Sequence, residues 1–184
     1  MDMTNEYDNL SPTQLASIFA EIHTEHLILR HPIPEDASAA FAIDGDPATH
    51  KYSFSGPDPD FATSEERVHR WLQQWNDNGY GYWAVTLPST NEVIGFGGVT
   101  RFTLHERDVL NLYYRFAPHA WGHGYATETA LTAVTLSRKY LPHLPVIARI
   151  RPGNTASIRT AEHAGLMRWP DLDTEHIVFV LGWK

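Results

Sequence analysis

The 184-residue chain contains no cysteine. That excludes a disulfide framework, a thiolate zinc site and a cysteine nucleophile, so any thiol chemistry must come from a cofactor and any covalent acyl-enzyme would need another side chain. Long apolar runs are also missing: none approaches the roughly 20 residues that span a bilayer, and Met1 to Asn9 is acidic and polar, unlike a secretory signal. The expected address is the cytoplasm, without a membrane partner. Cations are scarce, with 14 Lys and Arg against 22 Asp and Glu and a formal charge of -8. Such a chain repels polyanions and offers no basic stripe, which argues against nucleic acid as a partner. An acidic surface suits a cationic substrate such as an amine, although solubility alone is the ordinary reason for acidity.

What is present suffices for one core, since 42% of the residues are apolar and 12% aromatic. No internal repeat marks a second domain. The expectation is one domain over 1–184, with 1–23 as an N-terminal helical extension packed on it. Ser11 to Ile22 reads as an amphipathic helix with Ser11 as cap and Pro12 in the first turn. His26 to Arg30 alternates as a strand, and Pro34-Glu35-Asp36 opens a second helix. Asp44 to Asp60 is a long loop, and a Thr63/Glu66 capping box starts a helix with Val68, Trp71, Leu72 and Trp75 as its apolar stripe, ended by Asn78-Gly79. Trp71 and Trp75, at helical spacing, read as core. Tyr80 to Leu87 and Glu92 to Phe102 form a hairpin, and Val109 to Phe116 follows as another strand. A helix bearing Ala126, Ala130, Ala133, Val134 and Ser137 comes next, then a strand at Val146 to Ile150, a helix from Asn154 to near Gly165, and a last strand at Glu175 to Leu181. This order predicts an α/β fold: a mixed sheet covered by helices on both faces.

The most informative segment is Trp121-Gly122-His123-Gly124-Tyr125-Ala126-Thr127-Glu128, between a predicted strand and a predicted helix. Two glycines let the backbone approach a ligand and turn its N–H groups to one side, and the new helix adds the positive end of its dipole. This is an anion seat; an ordinary tight turn is the plain alternative. The lysine and hydroxyl of a P-loop are absent, and the glycine spacing is not that of a dinucleotide fold. A diphosphate without an essential metal fits better.

Here the chain resembles the GNAT acetyltransferases, whose pyrophosphate loop reads Gln/Arg-x-x-Gly-x-Gly/Ala at this junction, with Trp121, Gly124 and Ala126 at the defined positions. Trp121 departs from Gln/Arg but is similar to the ribosomal-protein N-terminal acetyltransferase branch, where Trp-Gly-Lys/Arg-Gly-Tyr-Ala-Thr-Glu is usual; His123 is a milder departure. The resemblance extends to Leu27–Arg30, Gly81–Val85, Val93–Gly98, and Asn154 with Ser157, Glu162, Gly165 and Leu166. It implies acetyl-CoA bound between two splayed parallel strands, Leu110 to Phe116 and Val146 to Arg151. The pyrophosphate would accept N–H bonds from Gly122 to Thr127, including His123, Gly124, Tyr125 and Ala126, and Asn154 would reach the pantetheine or diphosphate unless it serves as a helix cap.

Acyl transfer to an amine needs a neutral amine, an oxyanion donor and a proton for the departing thiolate. The resemblance places the oxyanion donor at a backbone N–H at Tyr113 or nearby. The usual tyrosine acid is replaced by Ala161, and Ser157 is the substitute that the branch implies; a plain helix-surface serine is the alternative. The usual glutamate base corresponds to Asn111, leaving water or a group such as His105, Glu106 or Asp108. Tyr52, Phe54, Tyr82 and Trp83 are expected to wall an amine slot, with Asp44 or Asp46 pairing with the cation. No metal is expected, since the His23/His26 and His119/His123 groups lie at a junction and in the cofactor loop. The expected activity is acetyl transfer to a peptide N-terminus or small-molecule amine by a monomer or homodimer. A CoA-binding sensor or partner-binding module without catalysis is the alternative, to which the missing tyrosine and glutamate point.

Overall fold

The computed structural model describes residues 10–53 and 55–183. In chain order these form α1 (Pro12–Phe19), β1 (Glu21–His23), β2 (Ile28–Arg30), α2 (Ala37–Asp44), α3 (Phe61–Asn78), β3 (Tyr82–Thr86), β4 (Val93–Leu104) and β5 (Arg107–Phe116). Then follow α4 (Tyr125–Tyr140), β6 (Val146–Ile150), α5 (Thr155–His163), β7 (Met167–Arg168) and β8 (Ile177–Leu181). Among the described residues the strands make one mixed sheet in the order β1-β2-β3-β4-β5-β6-β8-β7. Pairing is antiparallel except between β5 and β6.

Alternation along β3 shows why helices cover both faces. Trp83 and Val85 join a core with Phe19 of α1 and Ala130 and Ala133 of α4. Tyr82 and Ala84, pointing the other way, pack with Ala40 and Ile43 of α2 and Val68 and Trp71 of α3. The small residues on α4 let it lie close to the sheet, and the expected α/β architecture is the one observed. Trp71 and Trp75 are core, at 7% and 2% exposure.

Two helix ends differ from expectation for reasons the structure shows, and several strand ends shift by one or two residues. The helix expected through Ile22 stops at Phe19, because Glu21–His23 pairs instead with Ile28–Arg30 as an edge strand. Ser11 caps α1 as expected, in a capping box with Gln14. The start of α3 is set by Asp60 rather than Thr63: the Asp60 carboxylate accepts from both the backbone N–H and the hydroxyl of Thr63 at 2.9 and 2.8 Å. Gly79 ends α3 in the left-handed region at φ 77°, and an added Cβ there would lie 1.9 Å from the Pro12 carbonyl oxygen.

Candidate active site

The parallel pair β5 and β6 keeps register only at Leu110↔Val146 and Asn111↔Ile147. Beyond Asn111 both strands continue without pairing each other, so the sheet opens into a wedge. Two cavities of about 360 and 150 Å³ occupy it; they share Tyr52, Tyr114, Arg115, Asn154 and Ser157 and so form one cleft. Backbone direction follows from the ladder. Leu110 N–H donates toward the β6 side, to Pro145 O at 2.8 Å, whereas Ala117 N–H donates toward β4, to Ile94 O at 2.9 Å. N–H groups alternate along a strand and the β4–β5 register has no shift, so even-numbered N–H groups face the wedge. The Tyr113 N–H therefore faces β4, and Tyr114 takes the place in the cleft expected for Tyr113.

At the wide end of the cleft lies the glycine loop. Trp121 is half exposed, and its indole N–H donates to Phe116 O at 2.9 Å, pinning the loop to the end of β5. Gly122 and Gly124 both have φ +82°, and nothing stands within 4 Å of where a Cβ would be. Gly124 is the N-cap of α4 and supplies no side-chain acceptor, so no side chain caps the first-turn N–H groups. The acidic residue of that turn is held aside: Glu128 accepts from the His26 backbone N–H and lies against His26 Nδ1, both at 2.9 Å. Burial works to raise the Glu128 pKa, but hydrogen bonds from Thr24 and His26 prevail and lower it. The arrangement is an open, glycine-lined helix start whose own carboxylate is turned aside into hydrogen bonds with His26, which suits an incoming anion. Trp121 and Ala126 line the larger cavity, the His123 and Tyr125 rings stack at 5.3 Å, and Thr127 Oγ1 lies 3.5 Å from Thr160 Oγ1.

An acetyltransferase (GNAT) domain model matches residues 26–167. The chain belongs to the GNAT acetyltransferase family. It is similar to the uncharacterized protein YkkB of Bacillus subtilis (strain 168), at 32% identity over 119 residues, 59% of this chain and 69% of that one. An acetyltransferase from Agrobacterium tumefaciens str. C58 superposes with a TM-score of 0.76 at 24% identity, over 89% of this chain and 94% of its own. RimL, a ribosomal L7/L12 alpha-N-protein acetyltransferase solved in complex with coenzyme A, superposes with a TM-score of 0.70 at 13% identity, over 88% and 97%. The likeness to these solved structures is one of fold. The ribosomal-protein branch that the Trp-Gly-x-Gly-Tyr-Ala-Thr-Glu segment resembles is thus among the structural neighbours of this GNAT chain.

Across the wedge from Tyr114, α5 brings Asn154 and Ser157 into the cleft. Asn154 does act as a cap, its Oδ1 accepting from Ser157 N–H at 3.2 Å. That bond uses the carboxamide oxygen and leaves the amide hydrogens as donors. The Tyr114 hydroxyl donates to Ser157 O at 3.1 Å and ties β5 to α5 across the gap. Burial pushes the Tyr114 hydroxyl above the ordinary tyrosine range, so it stays a donor.

The expected amine slot needs correction. Tyr52 does line both cavities. Phe54 lies outside the described residues. Trp83 is fully buried, its indole N–H donating to Phe19 O at 2.7 Å, because its place on β3 turns it into the α1–α4 core. Tyr82 sits behind Tyr113, with ring centroids 4.8 Å apart, and its hydroxyl accepts from Asn111 Nδ2 at 2.9 Å. Asp44 is 1% exposed and faces Arg115 Nε at 3.3 Å, so it is a buried counter-ion rather than a surface anion. Asp46 caps the turn after it, accepting from Ala48 N–H at 2.9 Å. His105 and Glu106 form the tight β4–β5 turn with positive φ, and Asp108 pairs with Arg101, all at the closed end of that hairpin.

A buried network that no local sequence signal announces lies beneath the Thr49–Ser53 segment. Arg115 Nη1 donates to Thr49 O at 3.2 Å and lies 2.6 Å from His50 Nε2. Burial first, then Arg115, keep the His50 imidazole below its ordinary pKa, so it is neutral and accepts there. From the far side of the wedge, Arg151 Nη1 donates to Ser53 O at 3.2 Å. The segment carrying Tyr52 is thus strapped over the cleft by one arginine from β5 and one from just past β6. Only strand parity could have pointed to Arg115, Arg149 and Arg151, and parity is unreadable until the register is known.

Proposed function

We propose that this GNAT chain is an N-acetyltransferase that passes the acetyl group of acetyl-CoA directly to a primary amine, with 1–184 acting as one acetyltransferase domain. The observation that carries the reading is the pairing of an interrupted parallel ladder with an uncapped, glycine-started helix at one end of the same cleft. A chain of donors along a strand edge leading to an anion seat suits a ligand with an amide-bearing arm and a diphosphate head.

In this reading the N–H groups from Gly122 to Thr127 hold the diphosphate, with Trp121 and Ala126 against it. Acetyl-CoA supplies the thioester. The Tyr114 N–H, aimed into the wedge, is placed to stabilise negative charge developing on the acetyl oxygen. The Ser157 hydroxyl stands on the opposite wall as the group that relays a proton to the leaving sulfur, taking one from water as it gives up its own, with Asn154 holding the helix start that presents it. Tyr52, from the strapped segment, closes the acceptor side. Asn111 is bonded to Tyr82 and cannot keep a proton, so the amine loses its proton to water.

The test is thiol release from acetyl-CoA in the presence of peptide and small-molecule amines. Amine-dependent release with a new N-acetyl product in the mass spectrum supports the transferase. Tight acetyl-CoA binding with no release from any amine would instead favour a non-catalytic sensor.

A further inference from the structure

The smaller cavity is strongly basic for a chain of formal charge -8. Arg115, Arg149, Arg151 and His176 line it, and no carboxylate does. Arg115 is balanced from beneath by Asp44. Arg149 is different: its guanidinium lies 4.3 Å from the centre of the Phe102 ring, and among the described residues no carboxylate forms an ion pair with it. Stacking on an aromatic face pins the planar group without spending its charge or its hydrogen-bonding edges. Arg151, two residues on and so on the same face of the strand line, donates one N–H to Ser53 O. Glu175 sits 3.9 Å from His176 Nδ1 and is 66% exposed. His176 itself reports the local field: burial first, then Arg149 and Arg151, push its pKa below the ordinary value.

Trp121 and Ala126 of the glycine loop line only the larger cavity, and Arg149 lines only the smaller one. The basic group is therefore at the other end of the cleft from the diphosphate seat, beyond Tyr114 and Ser157, where an acceptor has to enter. We infer that the acceptor is a primary amine bearing a carboxylate close to its amino group, and that Arg149 with Arg151 recognises that carboxylate. This rests on the acetyltransferase reading above and narrows its substrate class. A carboxylate is matched by two guanidinium edges, whereas a polyamine or aminoglycoside would set like charge against like. The same field solves a second problem. Positive neighbours lower the pKa of an incoming ammonium, so more of it is the neutral nucleophile, in a site where Asn111 stands in place of a basic carboxylate.

The experiment compares kcat/KM for matched amino acids and their carboxamides, with spermidine as the cationic control, in wild type and Arg149→Gln, alongside calorimetric titration of each protein with acetyl-CoA. The carboxylate member of a pair is expected to be favoured at least about tenfold, through KM, and Arg149→Gln to remove that preference while leaving the acetyl-CoA Kd unchanged. The retained Kd also shows that the variant is folded. Equal or better use of the carboxamides or spermidine, or acetyl-CoA binding with no turnover of any amino carboxylate, would overturn the inference. Failure of wild type to bind acetyl-CoA would instead overturn the reading beneath it.

Discussion

Asp44 and Arg115 set the terms at the scale of single residues. Both carboxylate oxygens of Asp44 are buried without a hydrogen bond, and burial raises its pKa while Arg115 and Arg67 work against the rise. Replacing Arg115 with leucine strands that charge. The expected loss is about 3 kcal/mol at pH 7 by urea unfolding, toward the lower end for a broken buried pair because Arg115 is itself 18% exposed. A carboxyl whose folded pKa lies above its unfolded value destabilises the fold once it ionises, so the Arg115→Leu variant should recover stability as pH falls. A constant deficit across pH would mean that Asp44 is not the source. Ser157 carries a different expectation. Ser157→Ala keeps the backbone N–H that Asn154 accepts from, so kcat should fall about 10- to 100-fold with little change in the acetyl-CoA KM. An unchanged kcat would make Ser157 a bystander and leave the leaving thiolate to water.

At the scale of elements, α4 depends on a contact from outside itself. Glu128 in its first turn is held by His26 from the β1–β2 connection, which fixes the helix start where the glycine loop needs it. The His26 pKa is raised, mainly by its hydrogen bond to Glu128, and the Glu128 pKa is lowered. The signs define a window. The histidine contribution is full below its unfolded value of 6.5 and fades as pH rises through the raised folded value. The glutamate contribution is full above 4.5 and fades as pH falls through the lowered one. His26→Gln should therefore lower Tm most between about pH 5 and 6.5 and least near pH 9. A Tm difference that does not change with pH would show the contact to be packing alone.

Elements of this kind also mark where the sequence is readable. The glycine loop, the Ser11 and Asn154 caps, the Gly79 stop and the alternation of β3 through β5 are local signals, because φ, capping and face are decided by a few adjacent residues. Trp83 and Tyr113 went the other way for one reason. An aromatic in a strand announces burial or a slot equally, and which edge or face it takes depends on a register that only the partner strand sets. The short β1 strand was invisible because three residues carry no period, and the Arg115–His50–Asp44 network joins positions 65 and more apart.

For the whole molecule, the fold's contribution is the interruption between β5 and β6. The antiparallel β6–β8 ladder continues through Ile150↔Ile177 while β6 loses β5, so β6 leaves with β8 and β7 as a unit and opens the wedge. Helices on both faces then close it from either side, with α4 and α5 bringing the anion seat and Ser157 and the strapped segment after α2 bringing Tyr52. Filling that wedge from outside should lock β6 in place. Acetyl-CoA present at 100 times its Kd should raise the stability by about 2.7 kcal/mol, seen as an upward shift in Tm.

The most direct measurement is calorimetric titration with acetyl-CoA of the wild-type chain against Gly124→Val. Valine would force a β-branched residue into φ +82° and put its side chain in the open space above the helix start. The expected result is one site of micromolar Kd in the wild type, weakened at least about tenfold in the variant while the variant remains folded. Absence of binding in the wild type, or equal affinity in both proteins, would contradict it.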